Sequence, residues 1–262
     1  MLNDLFRVVV VTSRRAPGLD YLLDADPERG RTYQIVSAVT SDWECQEIPR
    51  LVQAGVPFEV QDIRAFYRER GMRWTDLSHR AMYDEVLAHR LSAYQPDLVI
   101  LCGYLHVVTA PVLERFAPAL INLHDSDLGI TDASGRPRFR GLHAVRDAIF
   151  AGQHVTRSTV HVVTPEVDFG PRLLMSQAFP THPMLDEARA WKAQDILKAY
   201  AYAHREWMMR ASWGRLLATA IALYGDGDIE LLGHRALVCG LPGPLTVGRS
   251  GLERPSAVAH AL

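Results

Sequence analysis

The chain has 262 residues, 48% hydrophobic and 22% charged, a globular composition with room for one large domain or two small ones. Its formal net charge of -2 supplies no basic field for nucleic acid or an anionic membrane surface. Cys45, Cys102 and Cys239 stand far apart without a CxxC pair, so we expect neither a zinc site nor a disulfide framework, and a reducing cytoplasm as compartment. No segment approaches the roughly 20 apolar residues of a membrane span.

In chain order, "FRVVVVTS" is a short β-branched run bounded by polar residues and reads as a buried strand. "GLDYLLDA" opens a helix, "TYQIVSAVTS" is a second strand, and "EIPRLVQAGVPFEVQDI" is a short helix, a glycine turn and a strand. "LSHRAMYDEVLAHRLSAY" sets Met82, Val86, Leu87 and Leu91 at helical spacing, which predicts an amphipathic helix. Next come the apolar strand "QPDLVILCGY", a helix in "TAPVLERFAPA" with Thr109 as cap and Pro111 in its first turn, and "LINLH". Almost continuously apolar strands alternating with helices describe an α/β fold, doubly wound, with a mostly parallel sheet covered on both faces. Ligands bind beyond the carboxyl ends of such strands, where residues 103–106 and 122–124 stand. Further on, "GLHAVRDAIFAGQ" is a helix ended by Gly152, and "STVHVVTPEVDFGPRLLMSQAF" is two strands joined by an Asp-x-Gly-Pro turn. One long or two shorter helices follow, then a hairpin at "GDGDIELLG". Residues 241–262, rich in Gly, Pro and Ser, are expected to be a poorly ordered tail.

In "LINLH" the period-two alternation of a strand puts Asn122 and His124 on one face. Two polar groups at the end of an apolar strand need hydrogen-bond partners or a substrate. Three segments carry more: "PDLVILCGYLHVVTAPVLERF", then "LINLHDSDLG" continued by "FRGLHAVRDAIFAG", then "STVHVVTPEVDFGPRLL". In this order, over residues 96–174, they resemble the formyltransferases that use 10-formyltetrahydrofolate. Size and order are nearest the branch that formylates phosphoribosylglycinamide in purine synthesis.

The resemblance implies a Rossmann-like catalytic domain over residues 1–240, ending in a helix and hairpin. It implies 10-formyltetrahydrofolate as co-substrate, a small-molecule amine as acceptor, no metal, no nucleic acid or membrane partner, and a monomer or homodimer. The catalytic positions fall on Asn122, His124 and Asp168. The donor pocket falls, largely through backbone, on Tyr104, Leu105, His106, Val107, Val108, Val163, Thr164, Glu166 and Val167. The residue types suit the chemistry. An amine attacking a formamide-like carbonyl generates an oxyanion, which the Asn122 amide and a protonated His124 would stabilise. His124 titrates where protons must move, and a nearby carboxylate such as Asp168 raises its pKa. His161 either packs or supports the site from behind; His143 opens a helix.

The chain departs from that pattern in three places. After the first strand, a glycine-rich phosphate loop is replaced by "TSRRAPGLDYLL". Thr12, Ser13, Arg14, Arg15 and Gly18 there either bind the acceptor's anion or form a solvated basic turn. After His124, "HPSLLPxYxG" becomes "HDSDLGITDASGRPRFRG", presenting Asp125, Asp127, Asp132, Arg136, Arg138 and Arg140. This insertion either shapes a different acceptor site or is an exposed loop. Arg157 stands where a glycine is usual. The alternatives are therefore another amine such as an amino sugar, water as acceptor, or folate binding without catalysis.

Overall fold

Residues 5–253 are described in the computed structural model. The alternation read from the apolar runs is present: β1 (Phe6–Thr12), α1 (Leu19–Asp24), β2 (Tyr33–Thr40), α2 (Ile48–Gln53), β3 (Phe58–Val60), α3 (Ile63–Arg68), α4 (Arg80–Ala93), β4 (Leu98–Leu101), α5 (Ala110–Phe116) and β5 (Leu120–His124). Then follow α6 (Ala144–Phe150), β6 (Val155–Thr156), β7 (Thr159–Val162), β8 (Arg172–Ser176), β9 (Phe179–Pro180), α7 (Met184–Ala190) and α8 (Gln194–Gly225). The described chain closes with β10 (Ile229–Leu232), β11 (Arg235–Val238), β12 (Leu241–Pro242), β13 (Leu245–Gly248) and β14 (Gly251–Glu253).

Among the described residues the main sheet has nine strands in the order β14-β13-β8-β7-β5-β4-β1-β2-β3. From β3 through β5 neighbours are parallel; β7 and β8 join antiparallel, and β13 lies parallel to β8. The valine run of β1 shows why the sheet is central. Val8 and Val10 pack with Trp213, Leu216 and Leu217 of α8, while Val9 and Val11 pack with Tyr67 of α3 and Leu87 and Leu91 of α4. Alternate residues thus bury on opposite faces, each aliphatic side chain contributing roughly 1.5–3 kcal/mol. α8 crosses α1 closely: a Cβ on Gly214 would lie 2.3 Å from the Tyr21 Cβ. Only glycine permits that approach, which carries the preceding turns of α8, with Arg205 and Glu206, past the loop after β1 and the end of β5.

Three expectations are corrected. Met82 is 44% exposed, and the buried face of α4 runs through Tyr83, Leu87 and Leu91 with Arg80 and Asp84. The reason is the Tyr83 ring, which meets Phe66 edge-on at 5.2 Å and turns the helix face toward α3. Thr109 occupies the cap position of α5, but its hydroxyl donates to Asp84 Oδ2 at 2.6 Å instead of capping the helix. Residues 241–253 are not an unstructured tail. β12 extends the β10–β11 hairpin, and β13 adds to the main sheet because Leu245 and Val247 alternate into the core. Residues 254–262 lie outside the described residues. No helix among the described residues is long and apolar enough to cross a membrane.

Candidate active site

β5 pairs with β4 on one side and antiparallel β7 on the other, which sets Asn122 opposite His161. His161 is buried, and its Nδ1–H donates to the Val162 carbonyl at 3.0 Å. Its Nε2 is then a lone pair, and the Asn122 amide Nδ2–H donates to it at 3.1 Å. Burial pushes the His161 pKa down to about 4, so this clamp is made by a neutral ring that fixes which end of the Asn122 amide is the donor.

Two residues on, His124 closes β5 with both ring nitrogens engaged. Ser126 donates its one hydroxyl proton to the Phe139 carbonyl at 2.6 Å, so at 3.0 Å it accepts from His124 Nδ1–H. On the other edge, His124 Nε2 lies 3.1 Å from Asp168 Oδ2. A neutral ring with its proton on Nδ1 would set a lone pair against a carboxylate, so the ring is an imidazolium. Burial opposes that charge, but the Asp168 hydrogen bond and charge, with help from Asp125, outweigh it and raise the His124 pKa. For Asp168 burial pushes upward, yet the His124 hydrogen bond and charge and the Gly141 N–H, which donates at 2.9 Å, bring its pKa to about 2.

Local backbone aims Asp168. Its φ of 57° is left-handed, a conformation Asp tolerates better than most side chains. A Cβ on Gly170 would lie 1.8 Å from the Val162 carbonyl, so only glycine lets the turn fold back against β7. Asn122, His124 and Asp168 border a cleft of about 270 Å³. Its wall is Gly103–Val108 on one side and Val163–Pro165 with Val167 on the other, and its mouth is rimmed by exposed Leu105, Leu142 and Val167. Burial pushes the His106 pKa down to about 4, so that ring is neutral and packs edge-on against Tyr104 at 5.3 Å.

Residues 6–189 match the family described as formyl transferase, well over half of the chain. The chain belongs to the formyl transferase family. Phosphoribosylglycinamide formyltransferase of Mycobacterium tuberculosis (strain ATCC 25618 / H37Rv) is 32% identical over 230 residues, 88% of this chain and 90% of that protein. Trifunctional purine biosynthetic protein adenosine-3 of Drosophila melanogaster is 30% identical over 183 residues, 69% of this chain but only 12% of that much longer protein. Among solved structures, glycinamide ribonucleotide transformylase 1 from Symbiobacterium toebii superposes with a TM-score of 0.67 at 28% identity, covering 89% of this chain and 94% of the other.

This formyl transferase gathers most of the residues read from its sequence into one cleft, and leaves others out. Tyr104, Leu105, His106, Val107, Val108, Val163, Thr164 and Val167 line it with the three polar residues of the strand end and turn. Glu166 does not; it turns outward and pairs with Arg136 of the inserted loop at 3.0 Å. Thr12, Ser13, Arg14, Arg15 and Gly18 do not line the cleft either. The insertion after His124 is anchored rather than loose: Phe139 buries against Ala144 and Ala148, and Asp132 accepts from the N–H groups of Ser134 and Arg136. Ser126, Gly141, Leu142, Arg205 and Trp213 border the site without having been singled out in the sequence. Arg205 carries no local signal, because it reaches Asp125 from a helix 80 residues away. Among the described residues no group of three or more His, Cys, Asp or Glu could hold a metal ion.

Proposed function

We propose that this enzyme transfers the formyl group of 10-formyltetrahydrofolate to a primary amine, with Asn122, His124 and Asp168 as its catalytic residues. The observation that carries the reading is the charge and donor pattern at the end of β5. A clamped amide N–H and a carboxylate-held imidazolium face one side of an otherwise apolar cleft. The amine nitrogen attacks the formyl carbon, and the carbonyl oxygen becomes an oxyanion. Asn122 is a preorganised donor for that charge, worth about 2.7–4 kcal/mol in comparable sites, and the His124 imidazolium, its N–H groups held by Ser126 and Asp168, adds a positive charge beside it. Collapse breaks the bond from the formyl carbon to the folate nitrogen. The amine loses one proton and the folate nitrogen gains one, a transfer for which His124, backed by Asp168, is placed. Apolar walls and backbone groups from Tyr104–Val108 and Val163–Val167 suit a flat ring system held edge-on by the chain.

Phosphoribosylglycinamide, the acceptor named in the similar proteins, is the first to assay, followed by amino sugars and water. Tetrahydrofolate release by the purified protein is the readout. We expect amine-dependent release that His124→Ala and Asp168→Asn each reduce at least about a hundredfold. Either variant retaining more than a tenth of the rate would sink the assignment.

A further inference from the structure

Backbone loops bind phosphate by leaving N–H groups and cations unpaired in a concavity. The loop after β1 has engaged its two arginine side chains and its hydroxyls. The Thr12 hydroxyl donates to the Arg15 carbonyl at 2.9 Å. The Ser13 hydroxyl meets Ser41 at 2.8 Å and accepts the Leu105 N–H at 3.1 Å. The Ala16 N–H points at Glu47 Oε1 at 3.5 Å, and Pro17 has no N–H to give. Arg14 lies 3.2 Å from Asp42 and also pairs with Glu44. Arg15 places its two-pronged guanidinium on Glu206 at 2.8 and 2.7 Å. Four acidic side chains therefore hold both arginines and an N–H of this loop, and a phosphate dianion would have to displace them against like charge.

Among the described residues, the guanidinium that borders the cleft is that of Arg205. Its Nε donates to Asp125, which is buried and follows His124, with Oδ1 4.0 Å from His124 Nδ1. Arg205 Nη1 is 3.9 Å from Glu206, beyond hydrogen-bond distance, and among the described residues neither Nη group makes a hydrogen bond. Asp125 thus fixes one edge of the guanidinium and leaves its other donors partly exposed beside the reacting centre. Such a planar pair of donors matches a carboxylate.

We infer that the Asp125–Arg205 pair selects the acceptor: a primary amine carrying a carboxylate close to the reacting nitrogen, with no phosphate read by the loop after β1. This rests on the formyl-transfer reading and narrows its acceptor. The test measures kcat/KM for four acceptors with full-length protein and 10-formyltetrahydrofolate. These are phosphoribosylglycinamide, its dephosphorylated riboside, an amino sugar and the matching amino uronate. The expected result is less than about threefold preference for the phosphorylated over the dephosphorylated glycinamide. The uronate is preferred over the neutral sugar by tenfold or more; Arg205→Gln removes that preference and Arg205→Lys keeps part of it. A tenfold or larger preference for the phosphorylated glycinamide, or equal rates for sugar and uronate, overturns this inference alone. Tetrahydrofolate release that no amine accelerates, or no release at all, overturns the formyl-transfer reading with it.

Discussion

The end of β5 and the loop after β1 stand at strand ends of the same sheet with β4 between them, and they treat polar groups in opposite ways. At β5 each polar group is held from behind so that it faces a cavity: His161 behind Asn122, Ser126 and Asp168 at the two edges of His124. In the loop after β1 the side chains of Thr12, Ser13, Arg14 and Arg15 are held by partners within and beyond the loop, and none lines the cavity. The two regions depend on different contacts. The first needs a strand register and one strained turn. In the second, carboxylates from the segment after β2 and from α8 fold onto the loop.

The comparison breaks most sharply if the β5 end is removed. His124→Ala should lower kcat/KM by about 10³-fold, with unfolding by denaturant showing that the variant is folded. Asn122→Ala should cost about 10²-fold, mostly in kcat, because the lost donor acts on the transition state.

Asp168→Asn tests the charge argument separately. With its carboxylate gone, the His124 pKa falls, so the alkaline limb of the rate profile and the NMR titration of the His124 ring both move to lower pH. An unmoved ring titration would refute the ion pair. The stability signs follow from the same shifts. Asp168, lowered to about 2, contributes above its unfolded value of about 3.9 and loses that contribution as pH falls through about 2. His124, raised, contributes below its unfolded value of about 6.5 and loses it as pH rises through its folded value. The stability difference between wild type and Asp168→Asn is therefore full between about pH 4 and 6.5 and shrinks outside that window.

His161→Phe should leave Asn122 unclamped and reduce kcat by about tenfold with little change in acceptor KM, the scale of one lost hydrogen bond. The smallest effect belongs to the other region. Arg14→Ala removes only ion pairs in which Arg14 and Glu44 are 56% and 69% exposed. It should change stability by less than about 0.5 kcal/mol and leave turnover alone. A marked loss of acceptor binding in Arg14→Ala would show that the loop after β1 reads substrate after all.

The order of elements was legible because burial on both faces of a parallel strand leaves unbroken apolar runs such as Val8–Val11, and such runs need no partner to be recognised. Asn122 and His124 stood out for the same reason, as polar residues closing an apolar run, and Asp168 because a glycine-proline turn follows it. The tail was misread: Leu245 and Val247 are too sparse among Gly and Pro to look like a strand until β8 offers an edge. The inward face of α4 was misread because a large tyrosine, not the methionine beside it, found aromatic neighbours. Local composition thus determined the α/β alternation and singled out the polar residues that border the cleft. What each charge does was decided in three dimensions, because an ion pair depends on which distant segment arrives beside it. Arg15 meets Glu206 from 191 positions away, and Asp125 meets Arg205 from 80. Those two pairings, invisible along the chain, draw Arg15 onto α8 and set the Arg205 guanidinium beside the cleft.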